Sequence, residues 1–214
     1  GRGKGPIVGP EVANSLSARK IAYRIGTGAN AIQFQQNLQK ECGKGEGVIA
    51  VGGDGLMHMA IQIVAHAGLP LVTIPAGTGN DFVRALGWNP AKPLEPLWEA
   101  LNTQSEQVDL GNVDGEFFGA IASTGFDSIV NERANSMHFP KGPSKYNVAM
   151  ALELPKFRPL NYKFVIDGKA YEREAMLIAA GNGSSYGGGM KVCPDADLQD
   201  GLLDLMILNH YWFM

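Results

Sequence analysis

Two apolar runs, each broken by glycine and followed by a helix-length stretch, organise the first half of the chain. VIAV (residues 48–51) runs into GGDGL (52–56), and LVTI (71–74) runs into PAGTGNDF (75–82). Such short runs, rich in β-branched residues and closed by glycine or proline, predict strands. Between them, residues 57–66 are long enough for one crossover helix. A crossover helix returns the chain to the same end of the sheet, so the two strands are predicted to be parallel. Both glycine loops then lie side by side at the carboxyl edge, where open α/β sheets bind ligands. Glycine there lets backbone N–H groups approach a phosphate, and helix N-termini add partial positive charge.

The patterning extends to either side. Residues 11–18 read as the end of a helix, and residues 20–25 as a strand closing at Gly26-Thr27-Gly28. Residues 29–41 approximate a 3.6-residue period through Ala31, Ile32, Phe34 and Leu38, with Gly43 as the stop. A proline-rich break over 89–96 precedes a short helix at 97–102. From Gln107 the character changes to short strands. They are predicted at 108–113 and 117–123 around Asp114-Gly115, and at 162–166 and 175–180 around Asp167-Gly168. Asp-Gly between apolar alternations signals a hairpin. One helical interruption is predicted over residues 146–154. The chain therefore divides into an α/β parallel-sheet domain, 1–107, and a mainly antiparallel β domain, 108–214. No internal repeat is visible.

Composition narrows the classes. With 214 residues, 45% of them hydrophobic, the chain can bury a sizeable core in one large domain or two small ones. Its 28 glycines cluster at 1–5, 52–55 and 181–189 without a period, which argues for ligand loops over low complexity. A net charge of −3 without a long basic run argues against a nucleic-acid groove. Cys42 and Cys193 lie far apart with no CxxC, as expected of reduced thiols in a cytoplasmic protein. No apolar run approaches the roughly 18 residues of a membrane span, and no signal peptide is visible. The chain opens at Gly1 without a methionine and closes on an apolar string at 211–214, so both ends read as cut.

Three motifs carry candidate chemistry. In GGDG, Asp54 is either a helix N-cap or an acidic group beside a transferring phosphate, with Gly53 and Gly55 allowing close approach. It is neither a Walker A loop nor a GxGxxG fingerprint. In GTGNDF, Thr78, Asn80 and Asp81 are all capping residues, and three of them with two glycines exceed what one cap requires, which implies a ligand role. The third constellation spans residues 181–204. Its carboxylates Asp195, Asp197, Asp200 and Asp204 suit a hard cation, or else a solvated acidic turn with a hairpin at Asp200-Gly201. The order of an EF-hand is absent. His58, His66, His138 and His210 have no metal-site spacing, and His58 and His66 read as packing residues of the crossover helix. No GxSxG elbow supports a hydrolase.

Taken together, GGDG, IPAGTGNDFVR (74–84) and GNGSSYGGGMKVCPDADLQDGLLD (181–204) resemble the diacylglycerol kinase catalytic-domain family, nearest its soluble bacterial lipid kinase branch. The match runs in order along nearly the whole chain. NAD kinases share GGDG but not the other two motifs. Sphingoid-base kinases are similar but usually carry a small apolar residue where this chain has Asp81. The resemblance implies an α/β nucleotide domain followed by a β-sandwich, with the active site between them. It implies ATP contacts at Thr27, Gly53, Asp54, Gly55, Leu56 and Thr78, and a place for Asp81 in the polar network supporting the site. It makes Asp200 a Mg²⁺ ligand, with Asp197 and Leu202 offering backbone carbonyls, and residues 1–5 the remainder of a phosphate loop. Where the family usually has Thr, Asn and Glu after GGDG, this chain has Leu56, His58 and Met59. The family's general-base carboxylate lies downstream, beyond residue 214.

The implied function is ATP- and Mg²⁺-dependent phosphorylation of a lipid hydroxyl, with diacylglycerol giving phosphatidic acid as the leading case. Asp54 and Asp81 are the acidic residues assigned to catalysis. The expected partner is a lipid at a membrane surface, met peripherally by a cytoplasmic protein, with no nucleic acid and room for a homodimer. The alternatives are an NAD kinase-like or sphingoid-base kinase, and a non-catalytic nucleotide or lipid binder. Trp88, Trp98 and Trp212 read as packing residues.

Overall fold

The computed structural model describes residues 3–43, 45, 47–139 and 144–209. His210, Trp212 and the apolar string at 211–214 lie outside the described residues, as do Gly1 and Arg2 of the N-terminal glycine cluster. The described chain clusters into two compact units. One runs to Ile121 and takes in Asn182–Leu203; the other comprises Ala122–Gly181 and the residues from Asp204 on.

The first unit opens with α1 (Gly5–Ala18), which has proline in its first turn, where a missing N–H costs nothing. In α2 (Ala31–Cys42), Asn30 Oδ1 caps the amide of Gln33 and Gly43 follows the last turn. Then come β1 (Val48–Gly52), α3 (Asp54–Ala67) and β2 (Leu71–Pro75). The two strands pair in parallel from Val48 against Leu71 to Gly52 against Pro75, as the crossover requires. Side chains alternate across this sheet. Ile49, Val51, Val72 and Ile74 pack with Val8, Val12 and Leu16 of α1. Ala50 and Leu71 pack with Met57, Ala60 and Ile61 of α3. Helices thus cover both faces, which is why both strands read as continuous apolar runs. Next are α4 (Asp81–Ala85), α5 (Glu95–Ala100) and the hairpin of β3 (Gly111–Val113) and β4 (Glu116–Phe118). Gln62 on α3 docks that hairpin, since its amide donates to Phe117 O at 2.7 Å and accepts from Phe117 N at 2.9 Å.

Two strand expectations in this unit need correction. Residues 21–28 form no strand. A short apolar run does not by itself supply a ladder partner, and this segment is held by other means. Ile21 N bonds Leu16 O at the end of α1, Tyr23 meets Ser17, and Arg24 pairs with Glu41 of α2. The strand expected at 108–113 shortens to Gly111–Val113 because the Asp109 backbone is bonded elsewhere. Its N–H donates to Leu198 O at 2.7 Å, and its carbonyl accepts from Asn182 at 2.8 Å.

The second unit contains β5 (Ile121–Gly125, whose first residue is grouped with the first unit), α6 (Phe126–Ser136) and α7 (Ser144–Glu153). It continues with the hairpin β6 (Leu160–Ile166) and β7 (Lys169–Ala175), then β8 (Leu177–Gly181). The predicted turn at Asp167-Gly168 closes that hairpin, with both residues at positive φ, but its second strand is 169–175, and the strand expected at 175–180 corresponds to β8. α6 was not expected. Its buried stripe, Phe126, Val130 and Ala134, is one residue wide and packs on Ala149 and Phe157. In the segment returning to the first unit, β9 (Ser185–Tyr186) pairs with β10 (Met190–Lys191). β11 (Asp204–Leu208) then joins β8 and β5 in a three-stranded sheet ordered β11-β8-β5, antiparallel to β8. Gly201, at φ 73°, makes a turn, but the flanking strands β10 and β11 do not pair, so Asp200-Gly201 is not a hairpin.

Candidate functional site

Parallel pairing brings the GGDG and GTGNDF loops together. Ala76 N donates to Gly52 O at 2.8 Å, extending the register past the strand ends. Beyond that, backbone touches backbone: a Cβ on Gly77 would lie 2.4 Å from Gly53 Cα, and one on Gly53 would lie 2.9 Å from Gly77 Cα. Glycine is therefore required at both positions by loop-to-loop packing alone. The start of α1 joins the same edge, because Lys4 N donates to Ala76 O at 2.7 Å. The first turns of α1 and α3 thus lie near the two loops, each with N–H groups that have no acceptor within the helix.

Two carboxylates tie the loops. Asp54, at the start of α3, accepts from Asn80 N at 2.7 Å through Oδ2 and from Phe82 N at 3.2 Å through Oδ1. Asn80 holds its own loop closed: its side chain accepts from Gly77 N at 2.9 Å and donates to Gly77 O at 3.0 Å, from a left-handed backbone at φ 57°. Asp81, only 5% exposed, reaches the third motif. Its oxygens accept from Gly188 N and Gly189 N, both at 2.7 Å, and from Ser185 Oγ at 3.3 Å. Gly187, Gly188 and Gly189 all have positive φ, which the loop needs to turn both amides onto one carboxylate. Asp54 and Asp81 converge on Gly79, where a Cβ would lie 2.6 Å from Asp54 Oδ2 and 3.2 Å from Asp81 Oδ2.

The acidic end of the third motif docks on residues 106–109. Gly201 N donates to Asp109 Oδ2 at 2.7 Å, and Gln199 Nε2 to Gln107 O at 3.1 Å. The exposed carboxylates of Asp197 and Asp200 each accept from the amide two residues on, Gln199 N and Leu202 N, at 2.9 Å. These are Asx turns. Among the described residues no three His, Cys, Asp or Glu side chains converge as a ready-made metal site. Mg²⁺ needs only one or two carboxylates, its remaining ligands being water and phosphate, so the oxygen donors of Asp197, Asp200 and the Leu202 carbonyl suit it chemically.

The remaining predicted residues fall in different surroundings. Thr78 and Gly55 are exposed beside the loops. Gly55 stands apart from Gly53 because a Cβ there would meet no protein atom within 4 Å. Leu56 turns inward: its side chain packs over Gly52 and into the core with Met57, and its N–H bonds Gly53 O at 2.9 Å. Thr27 lies against α2, its carbonyl accepting from Asn37 at 2.7 Å, because the strand meant to carry it to the sheet edge does not form. His58 pairs with Glu116 at 2.9 Å and His66 packs on Phe117, while Trp98 lies under Arg19.

Asn80, Asp109 and Asn182 were not assigned these roles from sequence. Asn182 is fully buried, and its amide clamps Asp109 O at 2.8 Å and Gly119 O at 3.0 Å. Its Oδ1 is buried with no partner among the described residues. The available signal was an asparagine between two glycines at a strand end, which gives no pointer to its distant partners.

The model described as the diacylglycerol kinase catalytic domain matches residues 1–113, and the one described as the YegS C-terminal NAD kinase beta sandwich-like domain matches residues 120–212. The chain is 40% identical over 185 residues to a diacylglycerol kinase of Mycobacterium tuberculosis, an overlap of 83% of this chain and 60% of the relative. It is 34% identical over 165 residues to a diacylglycerol kinase of Bacillus subtilis, covering 76% of this chain and 54% of the relative. A crystal structure of a diacylglycerol kinase from Bacillus anthracis has the same fold, with TM-score 0.69 and 24% identity over 94% of this chain and 67% of that one. The chain thus spans little more than half the length of the two curated relatives.

Proposed function

Because this chain belongs to the diacylglycerol kinase catalytic-domain family, we propose that it transfers the γ-phosphoryl group of ATP to a lipid hydroxyl, with diacylglycerol as the leading acceptor. The observation that carries the proposal is Gly55. Glycine is disfavoured in helices, by up to about 1 kcal/mol relative to alanine in the interior, yet no packing calls for it here, since a Cβ on Gly55 would meet no protein atom within 4 Å. Its space lies open beside two glycine loops and two helix N-termini, where backbone N–H groups and helix dipoles favour phosphate. Gly53, Gly55 and Thr78 are the contacts we assign to the nucleotide phosphates.

In phosphoryl transfer the protein mainly positions the reactants and neutralises charge. Asp54 and Asp81 act here as positioning residues, since their oxygens already accept from loop amides and fix how the other amides point. Asp200, with Asp197 and the Leu202 carbonyl, would hold Mg²⁺, which when bound offsets phosphate charge. Leu56 contributes packing to the start of α3, and Thr27 is not needed for the cradle. The acceptor lipid is met at a membrane surface. No helix among the described residues is long and apolar enough to cross a membrane.

The test is transfer of labelled phosphate from ATP to diacylglycerol in mixed micelles by the full-length protein, with a sphingoid base and NAD run in parallel. Labelled phosphatidic acid is the expected product. Transfer to NAD alone would sink the lipid-kinase reading, transfer to the sphingoid base alone would move it to that branch, and tight ATP binding without any transfer would leave a non-catalytic binder.

A further inference from the structure

A cleft of about 370 Å³ lies beside the loop that Asp81 holds, lined by Arg84, Trp88, Asn89, Ser185, Gly189 and Lys191 among others. None of the residues assigned to nucleotide lines it. Two cations face it and no carboxylate side chain does. Neither cation has an acidic partner among the described residues. Arg84 makes a single long contact, Nε to Gly79 O at 3.4 Å, and Lys191 Nζ donates to the neutral Ser184 Oγ at 2.6 Å. The chain as a whole carries a net charge of −3, so two uncompensated cations on one concave surface stand out.

The walls are built, not incidental. α4 ends in a Schellman motif: Trp88 N bonds Val83 O at 3.1 Å, Gly87 N bonds Arg84 O at 3.0 Å, and Gly87 sits at φ 81°. That motif fixes Arg84 and Trp88 on one wall. Pairing of β9 with β10 sets Lys191 opposite Ser185 on the other. An arginine fork and a lysine ammonium on separate elements, with the NH₂ of Asn89 as a neutral donor, match a compact oxyanion. We propose that this cleft binds the phosphate group of a phosphomonoester, at a site separate from the nucleotide phosphates. A bound phosphate would bridge α4 to β10 at the point where Asp81 joins them, and so brace the Gly187–Gly189 turn.

The proposal does not depend on the kinase reading. Inorganic phosphate is titrated into the nucleotide-free protein by calorimetry, and flotation is measured with phosphatidylcholine vesicles lacking or containing phosphatidic acid. Nucleotide is left out because the terminal phosphate of ATP would itself compete for the cleft, and the cleft variants separate binding there from binding at the glycine loops. The R84Q/K191Q variant should lose about tenfold or more in affinity, as expected when two charge-assisted contacts go. R84K keeps the charge but loses the fork, so it should bind more weakly than the parent and more tightly than R84Q/K191Q, and K191Q, at an exposed position, gives a single loss without threatening the fold. Phosphate binding lost in the variants identifies a soluble phosphate as ligand. Vesicle binding that needs phosphatidic acid and is lost in the variants identifies a lipid headgroup. Binding of neither by the parent, or equal binding by parent and variants, overturns the proposal.

Discussion

Asp81 is buried at the start of a five-residue helix, and its partners explain why an acid is tolerated there. Both oxygens accept from amides 107 and 108 residues away. An asparagine has the same size but must turn an NH₂ toward one of those amides. D81N should therefore cost about 3 kcal/mol, the loss of a charge-assisted bond plus a buried unsatisfied donor, and should lower turnover as well. A urea titration reads the first, and a D81N protein as stable as the parent would remove Asp81 from its positioning role. Gly55 predicts the opposite pairing of effects. G55A should stabilise α3 by up to about 1 kcal/mol while weakening ATP binding, because the added methyl fills the space assigned to phosphate. Tight ATP binding by a stabilised G55A would refute the cradle. That the loops carrying Asp54, Asp81 and the glycines lie side by side was legible in the sequence. Which amides the carboxylates serve was not, since partners 26 and 107 residues distant leave no local pattern.

At the scale of elements, what the pattern predicted well was whatever it determined locally. β1, β2 and the crossover α3 form in parallel as expected, because apolar runs of that length with a helix between them have few other arrangements. The short apolar segment at 20–25 found no ladder partner, and α6 escapes the pattern because three buried residues at i, i+4 and i+8 make too narrow a stripe. The end of α4 offers a test of how elements shape the site. Gly87 adopts φ 81°, with no protein atom near its missing Cβ, so alanine there meets only backbone strain. G87A should cost about 1 kcal/mol or more, measured by thermal unfolding, and should weaken phosphate binding in the cleft by displacing Arg84 and Trp88. Unchanged stability would show that the Schellman turn does not hold that wall.

Over the whole molecule, sequence order and spatial grouping disagree. The reading that divides the chain at 107 follows the change from crossover helices to short strands, while the two family matches cover residues 1–113 and 120–212. The compact unit, however, takes back Asn182–Leu203. Those residues supply the amides that bind Asp81, the Asn182 clamp on Asp109 O and Gly119 O, and the Leu198 carbonyl that receives Asp109 N. A fragment of residues 1–121 keeps the parallel sheet and both of its helical layers but leaves the Asp81 carboxylate without donors. It should unfold in a broad transition well below that of the chain and bind a hydrophobic dye. The D81A substitution supplies the control. In the chain it should cost about 3 kcal/mol; in the fragment, where the partners are already gone, the cost should fall below about 1 kcal/mol, because a cycle across a broken contact has little left to lose. Fragment stability can be read from the slope-corrected midpoint in urea, or from amide exchange if the transition is too broad. A fragment that melts cooperatively near the temperature of the chain, with D81A equally costly in both, would mean that residues 182–203 decorate the first unit and do not complete it.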